Sequence, residues 1–177
     1  MFHFKFFILT TVLALSVTAC TSKKSKKVSH YTEPEVAKIV STVNEGEISL
    51  ARRALAVSSN PEVKNFAQHM INDHTKNNKK TIELAVDKGL SLQDSSHSEA
   101  LQEKSEESME KLNRLTGKDF DKEYIKNQIA THEQVLNDLN KNLIPSAKDN
   151  ELRTHLTMTA EKVQSHLNHA KQIQKTL

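Results

Sequence analysis

From Val36 to Ile173 the apolar residues recur at intervals of three and four, a spacing that puts them on one face of a helix. Strands would need β-branched or aromatic alternation between turn residues, and no such stretch occurs. Three glycines and three prolines in 177 residues supply the few breaks. The folded part is therefore expected to be all-α.

The breaks divide the chain into segments. A first helix is expected from about Pro34 to Val57, with the stripe Val36, Val40, Val43, Glu47, Leu50/Ala51 and Ala54. Ser59-Asn60-Pro61 ends it and starts a second, because Asn60 is a good N-cap and proline fits the first helical position. That second helix carries Val63, Phe66/Ala67, Met70, His74, Thr81 and Leu84/Ala85, and closes at Gly89. So short a turn makes the pair an antiparallel hairpin. Leu90 to Ser98 reads as a polar connection, and Glu99 to Leu115 as a charged helix with a thin apolar stripe lying over the bundle. A third long helix is expected from Asp119 to about Leu143, with Ile125, Ile129, His132, Leu136, Leu139 and Leu143 facing inward. Pro145 and the pair Asp149-Asn150 then break to a fourth, with Leu152, Leu156, Thr159, Val163, His166/Leu167, Ala170 and Ile173. Two helical hairpins joined by a long, partly helical connection describe a ferritin-like four-helix bundle.

The first 19 residues lie outside this pattern. Lys5 precedes an apolar run from Phe6 to Leu15, too short to span a bilayer, and Val17-Thr18-Ala19-Cys20 follows. This is the layout of a secretory signal ending in a lipobox, with Cys20 as the lipidated first residue of the mature chain. Cys20 is the only cysteine, so no intramolecular disulfide can form. Residues 20–32 are polar and basic and read as a tether, leaving 33–177 as one domain. Of the 25 basic residues, five precede Glu33, which leaves 20 against 22 acidic ones in the domain. The basic character thus belongs to the leader and tether, and nothing supports a nucleic-acid partner. The expected location is the cell envelope, anchored through the lipid to the outer membrane and facing the periplasm.

Three stretches carry a resemblance: NPEVKNFAQHMINDHTKNN, LTGKDFDKEYIKNQIATHE and ELRTHL with VQSHLNHA beyond it. Together they resemble the bacterial ferritin-like domain-of-unknown-function family numbered 4142, over roughly Val36 to Ile173. The resemblance implies an exported or lipid-anchored envelope protein with no common biochemical activity. It also implies recurrent polar positions at Glu47, Asp73-His74, Tyr124, His132 and His166.

Each long helix places one potential ligand in its apolar stripe: Glu47, His74, His132 and His166. One carboxylate and three imidazoles have the chemistry to hold zinc or another divalent first-row metal. Counted from the turn at Ser59-Asn60, Glu47 and His74 are close to level. Counted from the centre of the turn expected at Pro145, His132 lies about 14 residues before and His166 about 20 after, an offset of roughly 8 Å at ~1.5 Å per residue. Six histidines fall in the four long helices and three lie on stripes, which is near chance for a buried face of about three positions in seven. A hydrogen-bonded structural layer, with Glu47 paired to His74, and a protonation-driven opening near pH 6 therefore remain alternatives to a metal layer. No histidine has Glu three residues before it, so the Glu-x-x-His ligand pair of di-iron ferritin-like enzymes is missing and argues against a di-iron centre. The domain has no cysteine nucleophile, no glycine-rich phosphate loop and no G-x-S-x-G. The first expectation is a non-enzymatic envelope lipoprotein acting as an interaction or structural module. Its alternative is a mononuclear divalent-metal protein using Glu47, His74, His132 and His166, with Asp73 and Tyr124 in support.

Overall fold

A computed structural model describes Met1 and residues 31–177. The expected signal, Cys20 and nearly all of the tether lie outside the described residues. Helix α1 spans Glu33–Val57, α2 Pro61–Asp87, α3 Ser96–Asn113, α4 Gly117–Asp138 and α6 Asn150–Gln174. Between the last two lie a π-helical turn, Leu139–Leu143, and the single turn α5, Ile144–Ser146. Helix α1 packs on α2 and α4 packs on α6, the two hairpins meet through α2 with α6 and α1 with α4, and α3 lies on α1. This is a ferritin-like all-α bundle.

The helix ends follow the local chemistry. Thr32 and Glu35 cap α1 reciprocally: the Thr32 N–H donates to Glu35 Oε2 at 2.7 Å and the Glu35 N–H to Thr32 Oγ1 at 3.4 Å. Asn60 Oδ1 accepts from the N–H groups of Glu62 and Val63, and Pro61 occupies the first helical position. Gly89 ends α2 at φ +64°, a left-handed conformation that costs other residues roughly 1–2 kcal/mol. Its N–H and that of Leu90 satisfy the carbonyls of Val86 and Ala85.

Two expectations are corrected. The connecting helix begins at Ser96 rather than Glu99, because Ser95 and Ser98 form a capping box that extends it backward. Pro145 does not break the chain. Proline lacks an N–H and its ring crowds the carbonyl four residues earlier, and the π-helical turn directly before it widens the helix where that crowding would fall. The helix therefore continues to Ser146, and the reversal occurs at Ala147–Asp149, where Asp149 accepts from the Leu152 N–H to start α6.

The apolar core lies in two blocks. One gathers Phe66, Met70, Leu112, Phe120, Tyr124 and Ile125 near the turn between α1 and α2. The other gathers Val36, Ile39, Leu139, Leu156 and Val163 toward the opposite end. Burying a side chain such as Phe66 contributes roughly 1.5–3 kcal/mol. Between the blocks the inward positions turn polar: Asn44 and Glu47 on α1, His74 on α2, Gln128 and His132 on α4, Thr159 and His166 on α6, all buried.

Candidate metal centre

His74, His132 and His166 reach the polar layer from α2, α4 and α6 and are 5%, 2% and 6% exposed. One ring nitrogen from each lies within 4.8 Å of the other two. The ring centroids are 5.4 Å apart for His74 and His166, 5.6 Å for His132 and His166, and 6.0 Å for His74 and His132. The relocated turn explains the meeting. His132 lies about 16 residues before Lys148 and His166 about 18 after it, an offset of roughly 3 Å rather than 8 Å.

Each ring is held by one nitrogen only. His74 Nδ1 donates to Asn44 Oδ1 at 2.8 Å. The direction is set by the rest of the chain of amides, since Asn44 Nδ2 donates to Asn77 Oδ1 and Asn77 Nδ2 to Thr159 Oγ1. His132 Nδ1 donates to the Gln128 carbonyl at 2.8 Å, one helical turn back. His166 Nε2 donates to Asp73 Oδ2 at 2.9 Å, and Lys162 stands 3.4 Å from the same oxygen. These bonds assign the proton in each ring to the outer nitrogen. The other nitrogens, His74 Nε2, His132 Nε2 and His166 Nδ1, are buried with no hydrogen-bond partner among the described residues. Three neutral imidazoles thus bring unengaged lone pairs into one layer.

Burial is the first cause that holds all three rings toward the neutral form, and for His74 and His132 the charge of the neighbouring rings is the next. His74 is held well below the usual imidazole range by burial and by His132 and His166. His132 is pushed down to about 4 by burial and by His166, against the pull of the Gln128 carbonyl. His166 is lowered by burial despite its Asp73 partner. Burial pulls the Asp73 carboxyl upward, but the bond to His166 and the charge of Lys162 outweigh it and hold Asp73 low.

Glu47 is also in the layer, 3% exposed, but it is not among the converging ligand atoms. Nor does it partner His74, because Asn44, one turn earlier on the same face of α1, takes that role. Its Oε2 has no partner among the described residues, and burial raises its carboxyl to about 7 although Gln128 pulls it down. Tyr124 sits beyond it with a hydroxyl that also lacks a partner, raised by burial and by the nearby Glu47. His169 stays outside the triad, its ring edge-on to Phe66 and beside His69. Asn44 and Gln128 went unread in the sequence. The signal available was their position, three before Glu47 and four before His132, on faces already known to turn inward.

An ion bound by imidazole takes Zn–N distances of about 2.0–2.1 Å, and an ion at the centre of a 4.8 Å triangle lies about 2.8 Å from each corner. Closing by less than about 1 Å per ring completes three bonds, and the backbone carbonyl behind His132 and the carboxylate behind His166 are partners expected of metal-bound histidines. The donor set fits a borderline divalent ion.

The profile of the domain of unknown function DUF4142 matches residues 18–173. The chain belongs to the DUF4142 family. The DUF4142 bundle is similar to two solved structures. One is a DUF305 protein from Streptomyces coelicolor named as secreted, with TM-score 0.69 and 12% identity over 80% of this chain and 91% of that one. The other is CopM in its Cu(II)-bound form, with TM-score 0.65 and 14% identity over 84% of this chain and 99% of that one. At these identities the likeness establishes the fold. Comparison with curated proteins gave no match. Among the described residues of this DUF4142 chain, no helix is long and apolar enough to cross a membrane.

Proposed function

We propose that the protein is an envelope lipoprotein whose bundle binds one divalent first-row metal ion through His74, His132 and His166. The observation that carries the reading is three buried histidines that each bring one ring nitrogen within 4.8 Å of the others and each keep one ring nitrogen without a partner. A purely structural layer satisfies its buried polar atoms, and each one left unsatisfied costs roughly 1–3 kcal/mol. Three in one place favour an ion as the missing partner. Imidazole suits copper, zinc and nickel. The fold shared with CopM, solved with Cu(II), adds support for copper as the first metal to test.

Elemental analysis of the purified full-length protein, exposed to Cu(II) or Zn(II) and dialysed, is expected to give one ion per chain. A metal-free, folded protein after such exposure would sink the reading. Asp73→Asn should weaken binding about 10–100-fold, because the carboxylate orients His166 and makes it a better donor. Isothermal titration of the two proteins side by side measures the difference, and equal affinities would remove Asp73 from the site.

The anchor rests on Cys20, the sole cysteine, standing at the end of a signal-like leader. Cells fed labelled fatty acid should label the wild-type protein and not the Cys20→Ser variant. Label retained in the variant would refute lipid attachment at Cys20.

A further inference from the structure

Three histidines fill three positions of a tetrahedral ion, and structural sites close the fourth with protein whereas reactive sites leave it open. Glu47 is the carboxylate in the same buried layer, yet it does not join the converging atoms. Between Glu47, His74 and His132 lies a cavity of about 10 Å³, walled otherwise by Val43, Thr131, Val135 and Val163. That is room for about one water molecule, and a buried water needs two or more polar partners. Glu47 Oε2 faces this layer 97% buried and unpartnered, so one hydrogen-bonding group stands ready at the cavity wall.

A second pocket, of about 30 Å³, lies outside the first between α1, α3 and α4. Gly46, Leu101, Ser105 and Gln134 line it, and it shares Val43, Glu47 and Thr131 with the inner cavity. Those three side chains therefore form the partition between the two spaces. Helix α3 roofs the outer pocket by close approach to Gly46, where an added Cβ would stand 2.7 Å from Ser105 Oγ.

We propose that the metal keeps one coordination position on its Glu47 side, occupied by a single exchangeable water-sized ligand. Glu47 holds that ligand by a hydrogen bond, and the pocket under α3 is its route to solvent. The inference rests on the tri-histidine reading above and makes the centre open rather than closed. The ligand class is water or a small diatomic molecule, since the inner cavity admits nothing larger without movement of its walls.

The test uses the full-length protein loaded with Cu(II), its stoichiometry fixed first by elemental analysis. Water carrying a magnetic oxygen isotope should broaden the copper lines in electron paramagnetic resonance. Glu47→Leu should lose the broadening and keep one copper per chain. Ser105→Phe, which fills the outer pocket, should slow water exchange at least tenfold in proton relaxation measurements, and Leu101→Trp serves the same purpose if Ser105→Phe does not fold. One copper per chain with no broadening in the wild type would mean a closed centre, with Glu47 or another group as fourth ligand, and would overturn this inference while leaving metal binding intact. Unchanged exchange in both folded pocket variants would overturn the route. Absence of copper at the first step would overturn this inference and the proposed function together.

Discussion

Saturating Cu(II) is expected to raise the thermal unfolding midpoint of the wild-type protein by roughly 10 °C. A ligand at 100 to 1,000 times its dissociation constant adds about 2.7–4.1 kcal/mol, and each kcal/mol moves a domain of this size by about 2–4 °C. His132→Leu should abolish that rise. The same substitution should leave the metal-free protein as stable as the wild type or more so, by about 1–2 kcal/mol, which is what separates a binding site from a structural layer. His132 is 2% exposed and its Nε2 has no partner, so leucine removes a buried polar atom that nothing satisfies. The bond from Nδ1 is a small loss, because it goes to a carbonyl one turn back in the same helix. Calorimetry on both proteins, with and without metal, reads the four numbers. A metal-free His132→Leu that is markedly less stable than wild type, together with no copper effect on either, would return the site to a hydrogen-bonded layer.

The second large effect is on acid stability. With a chelator present, the wild-type protein should lose stability steadily as pH falls from about 6.5 toward 4. His74, His132 and His166 all have folded-state values below the ordinary 6.5, so the unfolded chain binds more protons in that window and stability rises with pH across it. For His132 alone, the drop to about 4 corresponds to on the order of 3 kcal/mol. Glu47 works the other way. Its carboxyl is raised from 4.5 to about 7, so its contribution is complete below 4.5 and is lost as pH rises through about 7. Three groups against one give a net loss on acidification, and Glu47→Gln should steepen it. Urea unfolding at a series of pH values between 4 and 8 measures the profile. A flat curve between pH 5 and 8 would exclude the histidines as determinants. Metal-loaded protein should fall more steeply still, since protons and the ion compete for the same nitrogens.

Most of the scaffold was legible because caps and stripes are local. Asn60, Pro61, Gly89 and Asp149 act where their side chains or backbone freedom require, and the inward residues of α6 match the stripe read from spacing. Pro145 misled because the rule that proline ends a helix ignores the π-helical turn that accommodates it. That error alone pushed His166 out of register with His132. The face of α4 was also turned slightly wrong. Phe120, Tyr124 and Gln128 are fully buried, whereas Ile129 and Leu136 are only partly so. Asn44 orients His74 through its side-chain amide and Gln128 orients His132 through its backbone carbonyl; spacing places both on inward faces, but which ring each holds needed coordinates. The reversal of preference, from structural module to metal site, came from which nitrogens lack partners, and no spacing rule reports that.

The three histidines come from both hairpins: His74 from the first, His132 and His166 from the second. The domain has no cysteine, so no disulfide joins the two halves across their long connection. An ion bound as proposed would be gripped from both sides and would supply that missing cross-link, reversibly. It would close a loop of about 58 residues (His74 to His132), and restricting so long a loop would remove conformational freedom mainly from the unfolded chain. Metal supply outside the cytoplasm would then set how tightly the hairpins are clasped, making the bundle's cohesion a readout of its surroundings.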